Sequence, residues 1–156
     1  NQFSWIPLFA LLFILVFISY GWKKGLLLMV ITALLITFSD QFVNFLKDFF
    51  CWVRSNNDTS INEMIRILKG PSSFSFVSGH ATTSSAVTFM MHLTLRNYYK
   101  HTLLFFIWPI MFSYSRMYLG VHFPLDVTMG AILGLLIGYL FYILSLKLLN
   151  WIEKKY

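Results

Sequence analysis

Two histidines set the chemical possibilities of this chain. Ser78 and Gly79 run directly into His80, and Asp126 follows His122 by four residues. Ser115-Arg116 lies upstream of His122, and Lys47 and Arg54 stand seven apart earlier in the chain. Three cations, two imidazoles, a carboxylate, a hydroxyl and a glycine make an inventory suited to an oxyanion. Arginine grips phosphate oxygens in bidentate fashion, whereas lysine supplies a point charge. Glycine lets the backbone come close to a ligand, and a helix N-terminus favours negative charge. Ser78 reads as a cap for a helix beginning beside it, or as a donor to a phosphate oxygen. A carboxylate bonded to one imidazole nitrogen fixes the tautomer and strengthens the other nitrogen as base or nucleophile. Asp126 can do this for His122 if one helix carries both. His80 is then available as general acid for a leaving oxygen. No carboxylate cluster or His-Glu pair offers a cation cage, so this reading needs neither metal nor cofactor.

For groups spread from position 47 to position 126 to converge, the elements between them must return repeatedly to one side of the molecule. Composition says what those elements are. The chain has 156 residues, 58% of them hydrophobic and only 12% charged, with mean hydropathy +0.69; soluble domains are about a quarter charged. A chain this apolar cannot bury its side chains in one water-soluble core of this size. That excludes a soluble enzyme and a disordered tail. The pI near 9.6 does not rescue a nucleic-acid-binding reading, because no basic run interleaves with polar sequence. A single cysteine, Cys51, excludes an intrachain disulfide and a cysteine metal cluster.

A membrane-crossing helix needs about 20 mostly apolar residues. The sequence predicts an all-α, polytopic transmembrane helical bundle, a single membrane-embedded domain over 1–156. Its five spans fall at 3–20, 25–46, 80–95, 102–119 and 127–149. The third is short and rich in Ala, Ser and Thr, which suits an interior helix whose neighbours approach closely. Gly21-Trp22-Lys23-Lys24-Gly25, residues 96–101 and residues 120–124 are the breaks, and 47–79 is the long connection. The chain begins without Met, so a piece lacking an upstream segment, such as another helix, is expected. No helix face shows a decisive small-residue dimer motif, and no oligomeric state is assigned.

Alternating spans bring Lys47, Arg54, His80, Arg116, His122 and Asp126 to one face. The other face receives seven Lys and Arg residues against Glu153 alone, whereas the face with the long connection is net neutral. The positive-inside rule puts the short turns and the C-terminus in the cytoplasm and the 47–79 loop outside. Trp5 and Trp52 then mark one interface, Trp22 and Trp151 the other. Within the loop, Ser60 and Glu63 have capping-box spacing, and Ile61, Met64, Ile65 and Leu68 form one apolar helical face. That segment reads as a short helix resting on the membrane, with a lid as the sharper alternative. Asp40 and His92 read as structural bonds between helices.

These residues carry a resemblance. The chain resembles the type 2 phosphatidic acid phosphatase superfamily of membrane lipid phosphatases, related in active site to vanadium haloperoxidases. The family's first motif is Lys, six residues, Arg-Pro; Lys47 and Arg54 keep the spacing, with Ser55 in place of proline. The second, Pro-Ser-Gly-His, reads Val77-Ser78-Gly79-His80. The third, Ser-Arg, five residues, His, three residues, Asp, is matched in full by Ser115, Arg116, His122 and Asp126. The resemblance spans roughly residues 25–149.

The resemblance implies a six-helix core, which five spans would complete with an upstream helix. It also implies a metal-free phosphohistidine reaction. His122 would be the nucleophile oriented by Asp126, and His80 would protonate the leaving group. Lys47, Arg54, Ser78, Gly79 and Arg116 would hold the phosphoryl oxygens. The expected partners are a lipid phosphate or pyrophosphate and the bilayer, with no nucleic acid. The expected place is a bacterial inner membrane, with the site on the periplasmic face. Undecaprenyl pyrophosphate is the first substrate expected, then lipid A, then phosphatidylglycerophosphate or phosphatidic acid. A binding or transport protein that holds an anionic lipid without hydrolysing it, or a degenerate structural member, stays open beside these.

Overall fold

The computed structural model describes residues 6–52, 74–119 and 121–155. The regular elements among them are all helical: α1 (Ile6–Phe50), α2 (Gly79–Leu95), a 3-10 turn (Thr102–Phe106) that runs straight into α3 (Ile107–Tyr118), and α4 (Pro124–Lys155). Arg54, Trp5 and the helix expected around 60–68 lie outside the described residues. Two helices, Ile6–Phe50 and Pro124–Lys154, are long and apolar enough to cross a membrane.

The two spans expected at 3–20 and 25–46 are continuous in α1, not separated by a five-residue turn. Gly21 alone leaves helical geometry, at φ 70 and ψ −179. A residue with a side chain is strained at positive φ, and glycine is not. One residue therefore does the work expected of five. The bend is sharp. Residues eight apart on a straight helix are separated by about 12 Å along the axis, yet a Cβ on Gly25 would stand 2.6 Å from the Phe17 ring. Leu8, Leu12 and Val16 before the bend share one buried cluster with Leu28, Ile31 and Leu35 after it.

α2 is the central helix, as its small and polar composition predicts. Twelve of its 17 residues are buried, and α1, α3 and α4 all pack on it. Three of its buried hydroxyls find backbone partners one turn back: Thr82 donates to the Ser78 carbonyl (3.0 Å), Ser84 to that of His80 (2.6 Å) and Thr94 to that of Met90 (2.8 Å). α4 lies against it along Gly130, Gly134 and Gly138. A Cβ at these positions would stand 2.8, 2.3 and 2.5 Å from the carbonyl oxygens of Ser78, Thr82 and Ala86. Steps of four on both helices interlock, and only glycine permits so close an approach.

The helix ends sort into two groups. At one end Tyr20 donates to the Thr94 carbonyl (2.9 Å), its ring meets that of Tyr98 at 5.0 Å, and Lys24 pairs with Glu153. The bend of α1, the end of α2 and the end of α4 thus meet, as the charge sorting requires. At the opposite end Val43 lies against Gly79, and the Ser78 N–H donates to the Asp126 carbonyl (3.1 Å). His92 bonds Thr102 (Nδ1 to Oγ1, 3.0 Å), an inter-element contact of the kind expected. Asp40, by contrast, is exposed on α1 and has no bond to another helix among the described residues.

Candidate active site

Lys47 stands in the last turn of α1. Its Nζ lies 3.9 Å from where a Cβ on Gly79 would be, so the ammonium reaches the first residue of α2. Ser78 occupies the N-cap position of that helix, but its hydroxyl does not cap. The Oγ is buried with no hydrogen-bond partner among the described residues.

His80 is exposed, and its ring stacks on Phe112 (centroids 5.5 Å, 26° between planes). The Arg116 guanidinium carbon sits 5.0 Å from the centroid of the same Phe112 ring. Phe112 and Arg116 are four apart on α3, so one aromatic side chain positions both a histidine and an arginine. Arg116 Nε is buried without a hydrogen-bond partner among the described residues. Arg116, His122 and Lys47 all lie within electrostatic reach of the His80 ring. Ser115 turns its hydroxyl to the Phe112 carbonyl (2.6 Å).

His122 and Asp126 are both buried, 6% and 1% exposed. They do not share a helix. α4 begins at Pro124, where the missing N–H costs nothing and the fixed φ suits a first helical position. His122 lies in the turn before it. Asp126 falls in the first turn, and its Oδ2 accepts the Phe123 N–H (3.0 Å), the reciprocal half of a capping box. The direct bond expected between Asp126 and His122 is long: Nδ1 is 3.5 Å from Oδ2, beyond the usual N–H···O range. Ser75, fully buried, stands at both. Its Oγ donates to Asp126 Oδ2 and lies 3.3 Å from His122 Nδ1.

The structure therefore gathers Lys47, Ser78, Gly79, His80, Arg116, His122 and Asp126 at one end of the bundle; Arg54 lies outside the described residues. Sequence reasoning missed Ser75 and Phe112. Phe112 had a signal, its i, i+4 spacing to Arg116. Ser75 had none beyond standing three residues before Ser78.

A helical bundle with two histidines, a buried carboxylate and two cations at one end is the architecture its three motifs imply. The match is direct: the PAP2 superfamily model covers residues 22–149, and the chain belongs to that superfamily. It is 36% identical over 150 residues to a lipid A 4'-phosphatase of Bacteroides thetaiotaomicron, covering 92% of this chain and 65% of the relative. It is 31% identical over 140 residues to an undecaprenyl-diphosphatase of Sulfolobus acidocaldarius, covering 90% and 63%. The chain thus spans slightly less than two thirds of the length of these relatives. A crystal structure of a transmembrane PAP2-type phosphatidylglycerolphosphate phosphatase from Bacillus subtilis superposes with TM-score 0.69 at 27% identity, over 94% of this chain and 71% of that one.

Proposed function

We propose that the protein is a membrane phosphatase that removes phosphate from a lipid phosphomonoester or diphosphate through a phosphohistidine. The observation that carries this reading is the pairing of two buried donors without a partner among the described residues, Ser78 Oγ and Arg116 Nε, with a histidine held at Nδ1. Buried polar groups in proteins are nearly always hydrogen-bonded. A phosphoryl group between α2 and α3 would satisfy both donors, with Lys47 and the N-terminus of α2 adding positive potential.

In the reaction, His122 Nε2 attacks phosphorus and the P–O bond to the lipid breaks. His80 gives its proton to the departing oxygen. Water then loses a proton to His80 and attacks the phosphohistidine; the P–N bond breaks, releasing inorganic phosphate and restoring both histidines. Arg54 is assigned to the phosphoryl oxygens with Lys47 and Arg116. No step calls for a metal.

We propose a five-span arrangement: α1 crosses twice about Gly21, and α2, the Thr102–Tyr118 stretch and α4 cross once each. The site then faces outward, to the periplasm of a bacterial inner membrane. Identity to a lipid A 4'-phosphatase favours a lipid A-type monoester as substrate. Identity to an undecaprenyl-diphosphatase supports undecaprenyl diphosphate as the second reading.

The test is phosphate release by purified protein in detergent and EDTA from lipid A, undecaprenyl diphosphate, phosphatidylglycerophosphate and phosphatidic acid. Release in EDTA that His122→Ala abolishes is expected. Release that needs added divalent metal, or that survives His122→Ala, contradicts the reading. Tight binding of these lipids with no release would favour an anionic-lipid carrier.

A further inference from the structure

We infer that Ser75 is a positioning residue whose hydroxyl carries the hold of Asp126 onto His122, an inference that rests on the phosphohistidine reading above. Three side chains meet at this point, and the separations rank them. The Ser75 Oγ bonds Asp126 Oδ2 and lies 3.3 Å from His122 Nδ1, whereas His122 and Asp126 are 3.5 Å apart. Ser75 is nearer to each than they are to one another.

A serine hydroxyl has one hydrogen and two lone pairs. Asp126 Oδ2 is an acceptor, so the hydrogen goes there. The lone pairs are what remain for the imidazole, and they require Nδ1 to carry its proton. The chain Nδ1–H···Oγ–H···Oδ2 therefore fixes the tautomer in which the Nε2 lone pair is the nucleophile. When Nε2 takes phosphorus, the ring becomes cationic. The bridge passes that charge towards the carboxylate without moving a proton off the ring.

The surroundings hold the bridge in place. Ser75 is fully buried, and its backbone N–H donates to the Trp52 carbonyl (2.8 Å). Asp126 is held by the Phe123 N–H (3.0 Å) and through its carbonyl by the Ser78 N–H (3.1 Å). Ser75 also sits only three residues before Ser78, so one short segment supplies both a phosphate donor and the bridge.

The experiment is a double-mutant cycle on the full chain in detergent, with the best lipid found above and Ser75→Ala, Asp126→Asn and their combination. A hydrogen bond to a charged group sets the scale. Ser75→Ala is expected to lower kcat about 10- to 100-fold, with KM within about twofold. In the Asp126→Asn background the same change is expected to cost less than about threefold, because its partner is already lost. Ser75→Cys, which keeps the size and a weaker donor, is expected to fall between parent and Ala, and it carries the cycle if Ser75→Ala does not fold. Equal losses in both backgrounds, an unchanged kcat, or a rise confined to KM would overturn the inference. A His122→Ala control that kept the parent rate would instead sink the phosphohistidine reading itself.

Discussion

At the scale of single residues, the two histidines differ in their surroundings and so in their expected roles. His122 is buried against a carboxylate and a hydroxyl, whereas His80 is exposed and stacked on the Phe112 ring. A general acid matters in proportion to how badly the leaving oxygen needs a proton. His80→Ala is therefore expected to slow release from a lipid alkoxide by about 10²–10⁴, but to slow p-nitrophenyl phosphate hydrolysis far less. Equal losses on both substrates would remove His80 from that role. Arg116→Lys is expected to behave as a loss, not a conservative change, because a lysine cannot reproduce the planar fork or its seat on Phe112. A raised KM for lipid and for inorganic phosphate as inhibitor would show it. The meeting of His122 and Asp126 was legible from their types and spacing, although the two do not share a helix. Ser75 was not, because a serine acquires meaning only from what folds around it, here Asp126, His122 and the Trp52 carbonyl that accepts its N–H.

At the scale of elements, two glycines do different work. Gly21 has nothing within 4 Å of a would-be Cβ but sits at φ 70, so its substitution costs only backbone strain. Gly134 has an ordinary helical backbone, but its Cβ would meet the Thr82 carbonyl at 2.3 Å. Gly21→Ala is expected to lower stability in detergent by about 1–2 kcal/mol and to leave α2 and α4 in register. Gly134→Ala is expected to cost about 1–3 kcal/mol through overpacking. It should also cut activity, because the same α2–α4 seam sets Ser78 against Asp126. Thermal unfolding and phosphate release on both variants check this. The helical segments themselves were legible from their apolar runs. The seam was present in the sequence as glycines at i, i+4 and i+8, yet no small-residue face stood out as a dimer motif. The structure spends that stripe within the chain, on a helix whose own Ala, Ser and Thr content marked it as interior. The turn at Gly21 was overestimated because two lysines and a tryptophan beside it looked like a loop; in the structure they ride on helix.

At the scale of the whole molecule, the bundle is polarised. One end holds the seven gathered site residues; the other holds Lys24, Glu153 and the tyrosines around Thr94. The convergence of the site residues was foreseen, because helices that run the length of the bundle leave only two places for their ends. In the Lys24–Glu153 pair the carboxylate is exposed and the lysine half-buried, so Glu153→Gln is expected to change stability by less than about 1 kcal/mol. Sidedness is the larger consequence. Cys51 is exposed at the end that carries the site. A membrane-impermeant maleimide should label it from outside intact cells, whereas a Lys154→Cys variant lacking Cys51 should react only after permeabilisation. The reverse pattern would turn the site to the cytoplasm.

If His122 carries the phosphoryl group, as proposed, trapping that group tests it most directly. The protein would be mixed with substrate labelled in the phosphate, quenched in denaturant within milliseconds, and digested. The expected result is label on the peptide containing His122, lost in acid and kept in base as a phosphoramidate is, and absent from His122→Ala. Label on any other residue, or steady turnover of an active sample with no label at His122 even when His80→Ala slows breakdown, would contradict it.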